Sequence, residues 1–168
     1  VYAMGDDNAI LRTLGAVYIR NIRFSAMESL LSRAMDSEWP IDGSRPARVQ
    51  RLCVDATGMG MQLGERMTDR YRSRVEPVEF TGRSKAEIFT NARRHFDEQT
   101  CTIPDDIFLL GDLARIRAVV MPGGGVRYMA SNTGEGHADV ATALVLTFNA
   151  ADAPRPKLRS TKLAGGVM

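Results

Sequence analysis

Asp55 closes the apolar run Val49 to Asp55 and is followed at once by Ala56-Thr57-Gly58-Met59-Gly60. An acid at the end of a strand in an α/β sheet faces the crevice beyond the strand ends, where ligands bind. The glycines after it admit two readings. Gly58, Gly60 and Gly64 form G-x-G-x-x-x-G, one residue longer than the dinucleotide fingerprint, and the acid precedes them instead of following. Alternatively, they let the chain turn tightly around a metal-bound carboxylate. A third possibility leaves Asp55 as the N-cap of the next helix.

A second acid, Asp139, stands in Gly134-Glu135-Gly136-His137-Ala138-Asp139, ahead of Ala141, Ala143 and Leu144. Its simplest role is to favour a helix start, where carboxylates are stabilised. Together, Asp55 and Asp139 suit a divalent-metal site. Mg²⁺ takes hard oxygen ligands from one or two carboxylates plus substrate phosphates. Two such ions can activate water and stabilise the leaving oxygen in phosphodiester hydrolysis. The two side chains are expected to turn to one cleft while Val54 and Ala138 pack away. Cys53, Cys101, His95 and His137 would have to combine for a zinc site, but they contain no closely spaced ligand pair. The two cysteines, 48 positions apart, read as small buried thiols, with a disulfide between them as the alternative.

Basic residues cluster at Arg66, Arg70, Arg72 and Arg74, at Arg83, Lys85, Arg93 and Arg94, and at Arg115 and Arg117. Arginine suits bidentate phosphate contact, and solvated helix faces are the alternative. Arg83 and Lys85, just past Phe80, are expected to line the rim of the cleft. The net charge is only +2, so the distribution carries more information than the sum.

These residues need a scaffold. Val1–Met4, a turn over residues 5–8 and Ala9–Ile19 read as a β-hairpin. Ser25 and Glu28 form a capping box opening a helix with Met27, Leu30, Leu31 and Ala34 on its apolar face. Pro40 and residues 43–46 form a loop. Val49–Asp55, a helix over about 61–72 and the strand Val75–Phe80 make a βαβ crossover and hence a parallel pair. Ser84 and Glu87 cap a helix running to about Phe96. Thr102–Pro104 is extended, Asp105-Asp106 caps a helix, and Ile107–Val120 fits helix and strand equally. The turn over residues 122–125 precedes a strand over Val126–Ala130, and a last helix spans about Asp139–Asn149. The fold class is α/β with a partly parallel sheet and an antiparallel hairpin at one side.

With 168 residues, 44% hydrophobic and 25% charged, the chain fits one domain over residues 1–150 with a basic tail over 151–168. That composition excludes a disordered chain, a collagen-like fibre and a disulfide scaffold. No apolar run approaches the ~20 residues of a membrane-spanning helix. The first residues lack the features of a signal peptide, and because Val1 opens inside a strand, an upstream segment is expected.

Taken in order, Asp55 to Gly60, Phe80-Thr81-Gly82-Arg83-Ser84-Lys85, Ile103-Pro104 and Gly136 to Asp139 with Ala143-Leu144 resemble the nuclease domain of phage terminase large subunits. The pattern is most similar to the Mu-like and gene-transfer-agent-like branch and spans about Val1 to Phe148. The resemblance implies a ribonuclease-H-like mixed sheet with flanking helices. It also implies three acids holding two Mg²⁺ or Mn²⁺ ions, and cutting of concatemeric double-stranded DNA. The portal protein and small terminase subunit are the implied partners, and the host bacterial cytoplasm the implied location. Asp55 matches the second acid of that family and Asp139 the third. Val1-Tyr2-Ala3-Met4 matches the second strand of that family's hairpin meander, so the resemblance implies a first acid upstream of Val1, and Asp6 and Asp7, in a turn, are poor substitutes. No G-x-x-x-x-G-K-[ST] motif of an ATPase occurs. A non-catalytic docking module of the same fold, or a junction-resolving nuclease, is the alternative.

Overall fold

The structure, a computed structural model, describes residues 3–5, 10–40, 46–130 and 138–153. Strand β1 (Ala3–Gly5) pairs antiparallel with β2 (Leu11–Thr13), giving the expected hairpin, whose turn lies outside the described residues. The second strand stops at Thr13 and does not continue to Ile19. From Leu14 to Arg20 the chain runs without regular structure, held where the Tyr18 ring lies 5.7 Å from Phe108. The Tyr18 hydroxyl bonds Asp106; desolvation first, then that bond, pushes its pKa up to about 12.

Helix α1 (Phe24–Asp36) begins a residue before Ser25, which therefore sits inside the first turn and forms no cap. Short strands β3 (Glu38–Trp39) and β4 (Ala47–Arg48) pair antiparallel, two strands too brief for period-2 patterning to reveal, and most of the loop expected over residues 43–46 lies outside the described residues. The βαβ unit forms as its pattern requires. β5 (Leu52–Asp55) runs parallel to β6 (Val75–Val78), with α2 (Gly60–Tyr71) crossing between them. Gly64 permits that packing, because a Cβ there would stand 3.1 Å from the Pro77 side chain of β6.

Helix α3 (Gly82–Asp97) is capped by Thr81, not Ser84. The hydroxyls of Thr81 and Ser84 each accept the other's backbone N–H, at 3.1 and 2.9 Å. Ser84 therefore serves as the third helical residue of the box. β7 (Cys101–Thr102) lies parallel to β2. The ambiguous stretch Ile107–Val120 divides into α4 (Ile107–Arg115), capped by Asp106, and β8 (Ile116–Val120). β9 (Val126–Ala130) returns antiparallel to β8, and α5 (Asp139–Asp152) ends the described chain.

The architecture is mixed α/β. Among the described residues the strands form four small sheets: β1-β2-β7, β3-β4, β5-β6 and β8-β9. Helix α5 packs on both β1 and β5, and so underlies two of them. Two apolar clusters form the core. One gathers Leu11, Phe89, Leu109, Tyr128, Leu144, Val145 and Phe148. The other gathers Met35, Val54, Leu63, Met67, Tyr71 and Val75 between α1, α2 and the β5-β6 pair. On α5 the buried positions 141, 144, 145 and 148 recur at helical spacing, so one face is committed to the core.

Candidate functional site at the carboxyl edge of the parallel pair

Asp55 is the last residue of β5, opposite Val78 of β6. Val54 before it is buried, and Asp55 itself is exposed at the carboxyl edge of the pair. Its Oδ1 accepts the Thr57 N–H at 2.8 Å, so the carboxylate organises its own turn and caps no helix. The helix N-cap is Met59, which makes no side-chain bond. The Thr57 hydroxyl in turn accepts the Phe80 N–H at 3.2 Å, tying the loop after β5 to the end of β6.

The glycines serve this turn. Gly58 has φ +60°, and a Cβ on Gly60 would lie 1.9 Å from the Asp55 carbonyl oxygen. The chain folds back over the acid so closely that no side chain fits. This geometry is the tight turn around a carboxylate, and it accounts for Gly58 and Gly60 without a phosphate, while Gly64 serves the packing of α2 on Pro77 of β6.

Arg83 and Lys85 occupy the first turn of α3, just beyond β6. Because β5 and β6 are parallel, this turn and the Asp55 turn stand at the same edge. Arg83 is 89% exposed and pairs with Glu87 one turn on at 2.9 Å, which raises its pKa further. The Lys85 ammonium sits 5.6 Å from the centre of the Phe89 ring. Arg66 and Arg70 of α2, and Arg74 in the turn after it, reach across to other elements. Arg66 reaches Glu28 and the Phe24 ring, Arg70 reaches Ser32 and Asp36, and Arg74 bonds the carbonyls of Met35 and Val49. They link α2 and the turn after it to α1 and the approach to β5, with the Arg66 and Arg70 side chains still 60% and 58% exposed.

Asp139 opens α5 and is exposed, whereas Ala138, in left-handed conformation at φ 59°, is buried. His137, Gly134 and Gly136 lie outside the described residues. The side chain that caps α5 is Asp112 of α4, whose Oδ2 accepts the Val140 N–H at 3.0 Å and whose Oδ1 bonds Arg115. Nothing in the local sequence marks it, since the capped amide is 28 residues away. Asp139 makes no capping bond and, as the acid of the first turn, favours the helix start by its charge alone. Helix α5 packs on β5, where Asn149 Nδ2 donates to Cys53 Sγ at 3.7 Å, while Asp139 stands at the other end of α5, ten residues or about 15 Å along the helix axis from Asn149. No group of three or more His, Cys, Asp and Glu side chains placed to hold a metal occurs among the described residues.

The remaining metal candidates are engaged elsewhere. His95 is buried, its Nδ1 paired with the Thr100 hydroxyl at 2.8 Å and its Nε2 with both Asp152 oxygens at 3.0 Å. Burial first, then the neighbouring Glu76, pushes the Cys53 thiol up to about 11, against the Asn149 bond and Arg51. Burial also raises Cys101. Both are free thiols and poor nucleophiles at neutral pH.

No known family model matches the chain, and no curated protein matches it. Among solved structures, it is similar to the large terminase nuclease from thermophilic phage G20c with bound magnesium. The TM-score is 0.45 and the identity 22%, over 56% of this chain and 49% of that one. The chain spans about half the length of that structure.

Proposed function

We propose that the chain is the metal-dependent endonuclease domain of a DNA-packaging terminase, cutting concatemeric double-stranded DNA by two-metal phosphodiester hydrolysis. The observation that carries this reading is the exposed Asp55 carboxylate. It is fixed by its own turn at the carboxyl edge of the parallel pair, beside the first turn of α3 with Arg83 and Lys85. Hard, exposed carboxylate oxygens fit Mg²⁺ or Mn²⁺, and Asp55 and Asp139 are the residues that would hold them. A bound cation there supplies an activated water and charge neutralisation at the scissile phosphate. Thr57 holds the Asp55 carboxylate through its backbone N–H, and Arg83 and Lys85 bind the phosphate backbone without reading sequence. In this reading the portal protein and small terminase subunit are partners, and the enzyme works in the host bacterial cytoplasm.

Plasmid nicking by the chain in Mg²⁺ and in Mn²⁺ tests the assignment. Cutting is expected to be weak and to favour Mn²⁺. Asp55→Asn and Asp139→Asn should each abolish it. Duplex affinity should stay within about threefold, because phosphate contacts supply that affinity. Undiminished cutting by Asp139→Asn in Mg²⁺ would show that the wrong acid is assigned. Duplex binding without cutting, indifferent to both substitutions in either metal, would favour a docking module of the same fold.

A further inference from the structure

The β8-β9 hairpin has two unlike faces. Tyr128 faces α3, its ring stacked 5.5 Å from Phe89 and its hydroxyl 3.2 Å from that of Thr90. Ile116 and Ala118 line the same groove with Ala92 and Phe96. Alternation along the strands puts Arg117, Val119, Arg127 and Met129 on the other face, and all four are exposed. Arg117 lies opposite Met129, and Val119 opposite Arg127. The two arginines are therefore diagonal neighbours, which places their backbones ~7–8 Å apart.

Their electrostatic setting differs from that of the exposed arginines of α3. On α3, Arg83, Arg93 and Arg94 each pair with a carboxylate one turn on. Between Asp112 and Glu135 the sequence has no acid at all. Arg117 and Arg127 form no ion pair among the described residues, so the hairpin's outer face holds uncompensated positive charge in a chain whose net charge is only +2.

We propose that the outer face of this hairpin is a second phosphate-contacting surface, where Arg117 and Arg127 hold the backbone of the duplex away from the cutting edge. The inference rests on the reading of the substrate as duplex DNA and adds to it the surface that orients the duplex. Guanidinium groups match phosphate oxygens in bidentate geometry, and a pair on a rigid two-stranded ribbon is already spaced. Val119 and Met129 between them add apolar contact but no base recognition, so the grip is indifferent to sequence.

Titration of the chain with two fluorescent duplexes of unrelated sequence, over a range of salt, tests this. Four proteins are compared: the native chain, Arg117→Gln/Arg127→Gln, Arg117→Lys/Arg127→Lys and Arg83→Gln/Lys85→Gln. If each arginine contacts one phosphate, the glutamine pair lowers the slope of log affinity against log salt by about two units, equally for both duplexes. The lysine pair retains the slope, which separates lost charge from lost folding. An unchanged slope in Arg117→Gln/Arg127→Gln, with a reduced one in Arg83→Gln/Lys85→Gln, would overturn the hairpin surface and leave the nuclease reading standing. If the native chain binds neither duplex, the DNA reading fails and the hairpin proposal with it.

Discussion

Gly60 marks the point where the backbone leaves least room, and it can be tested one methyl group at a time. A Cβ there would press 1.9 Å from the Asp55 carbonyl oxygen, and both sides of that clash are main chain, so neither can rotate away. Gly60→Ala should destabilise the fold by about 2–3 kcal/mol in urea unfolding, at the upper end of overpacking costs. Gly111→Ala, inside α4 with nothing within 4 Å, should instead gain up to about 1 kcal/mol from helix propensity. If Gly60→Ala were neutral, the turn around Asp55 would not be as tight as described. At this scale much was legible. The apolar run ending in an acid put Asp55 at a strand terminus, and the glycines after it signalled a tight turn. Asp112 was invisible, because a cap supplied from another helix leaves no trace beside the amide it serves.

At the scale of elements, the strongest tie is the chain Thr100–His95–Asp152, which joins the end of α3 to the last turn of α5. Asp152→Ala leaves the buried His95 ring nitrogen without its partner. The expected cost is about 1–3 kcal/mol. Asp97→Ala removes only an exposed one-turn pair with Arg93, a loss of a few tenths of a kcal/mol. Thermal unfolding of the two variants should separate them, and hydrogen exchange should show the last turn of α5 opening in Asp152→Ala. Equal melting would mean that α5 is held by its apolar face alone. Element boundaries were readable where two independent signals agreed. Asp106 with the apolar run behind it is one example, and the βαβ crossover is another. They were misread where a local motif had a nearer competitor. Ser84 with Glu87 has the pattern of a cap, but Thr81 stands in the extended conformation a cap needs and captures Ser84's own amide. Ser25 lost its role because α1 starts at Phe24.

Over the whole molecule, the two apolar clusters make a prediction about additivity. Met67 and Leu144 are each fully buried, one in each cluster. Replacing either by Ala should cost about 2–5 kcal/mol. The costs should add to within about 0.5 kcal/mol in the double variant, since the clusters share no member. A larger coupling would show that the packing of α5 on β5 transmits strain between them. How the strands group was the least legible level. β2 pairs with β7, some ninety positions along the chain, and no local pattern specifies that neighbour. The β8-β9 hairpin has a final consequence at this scale. Its five-residue strands are the longest described, and each presents one edge outside a two-stranded sheet. Around them Val119, Val120, Met121 and Val126 are 42%, 74%, 41% and 38% exposed. An apolar ribbon with open edges invites other chains to add strands, and charge is the usual guard against such aggregation. Arg117 and Arg127 are the charges on this ribbon, and neutralising both should raise its tendency to self-associate, which light scattering of Arg117→Gln/Arg127→Gln would read.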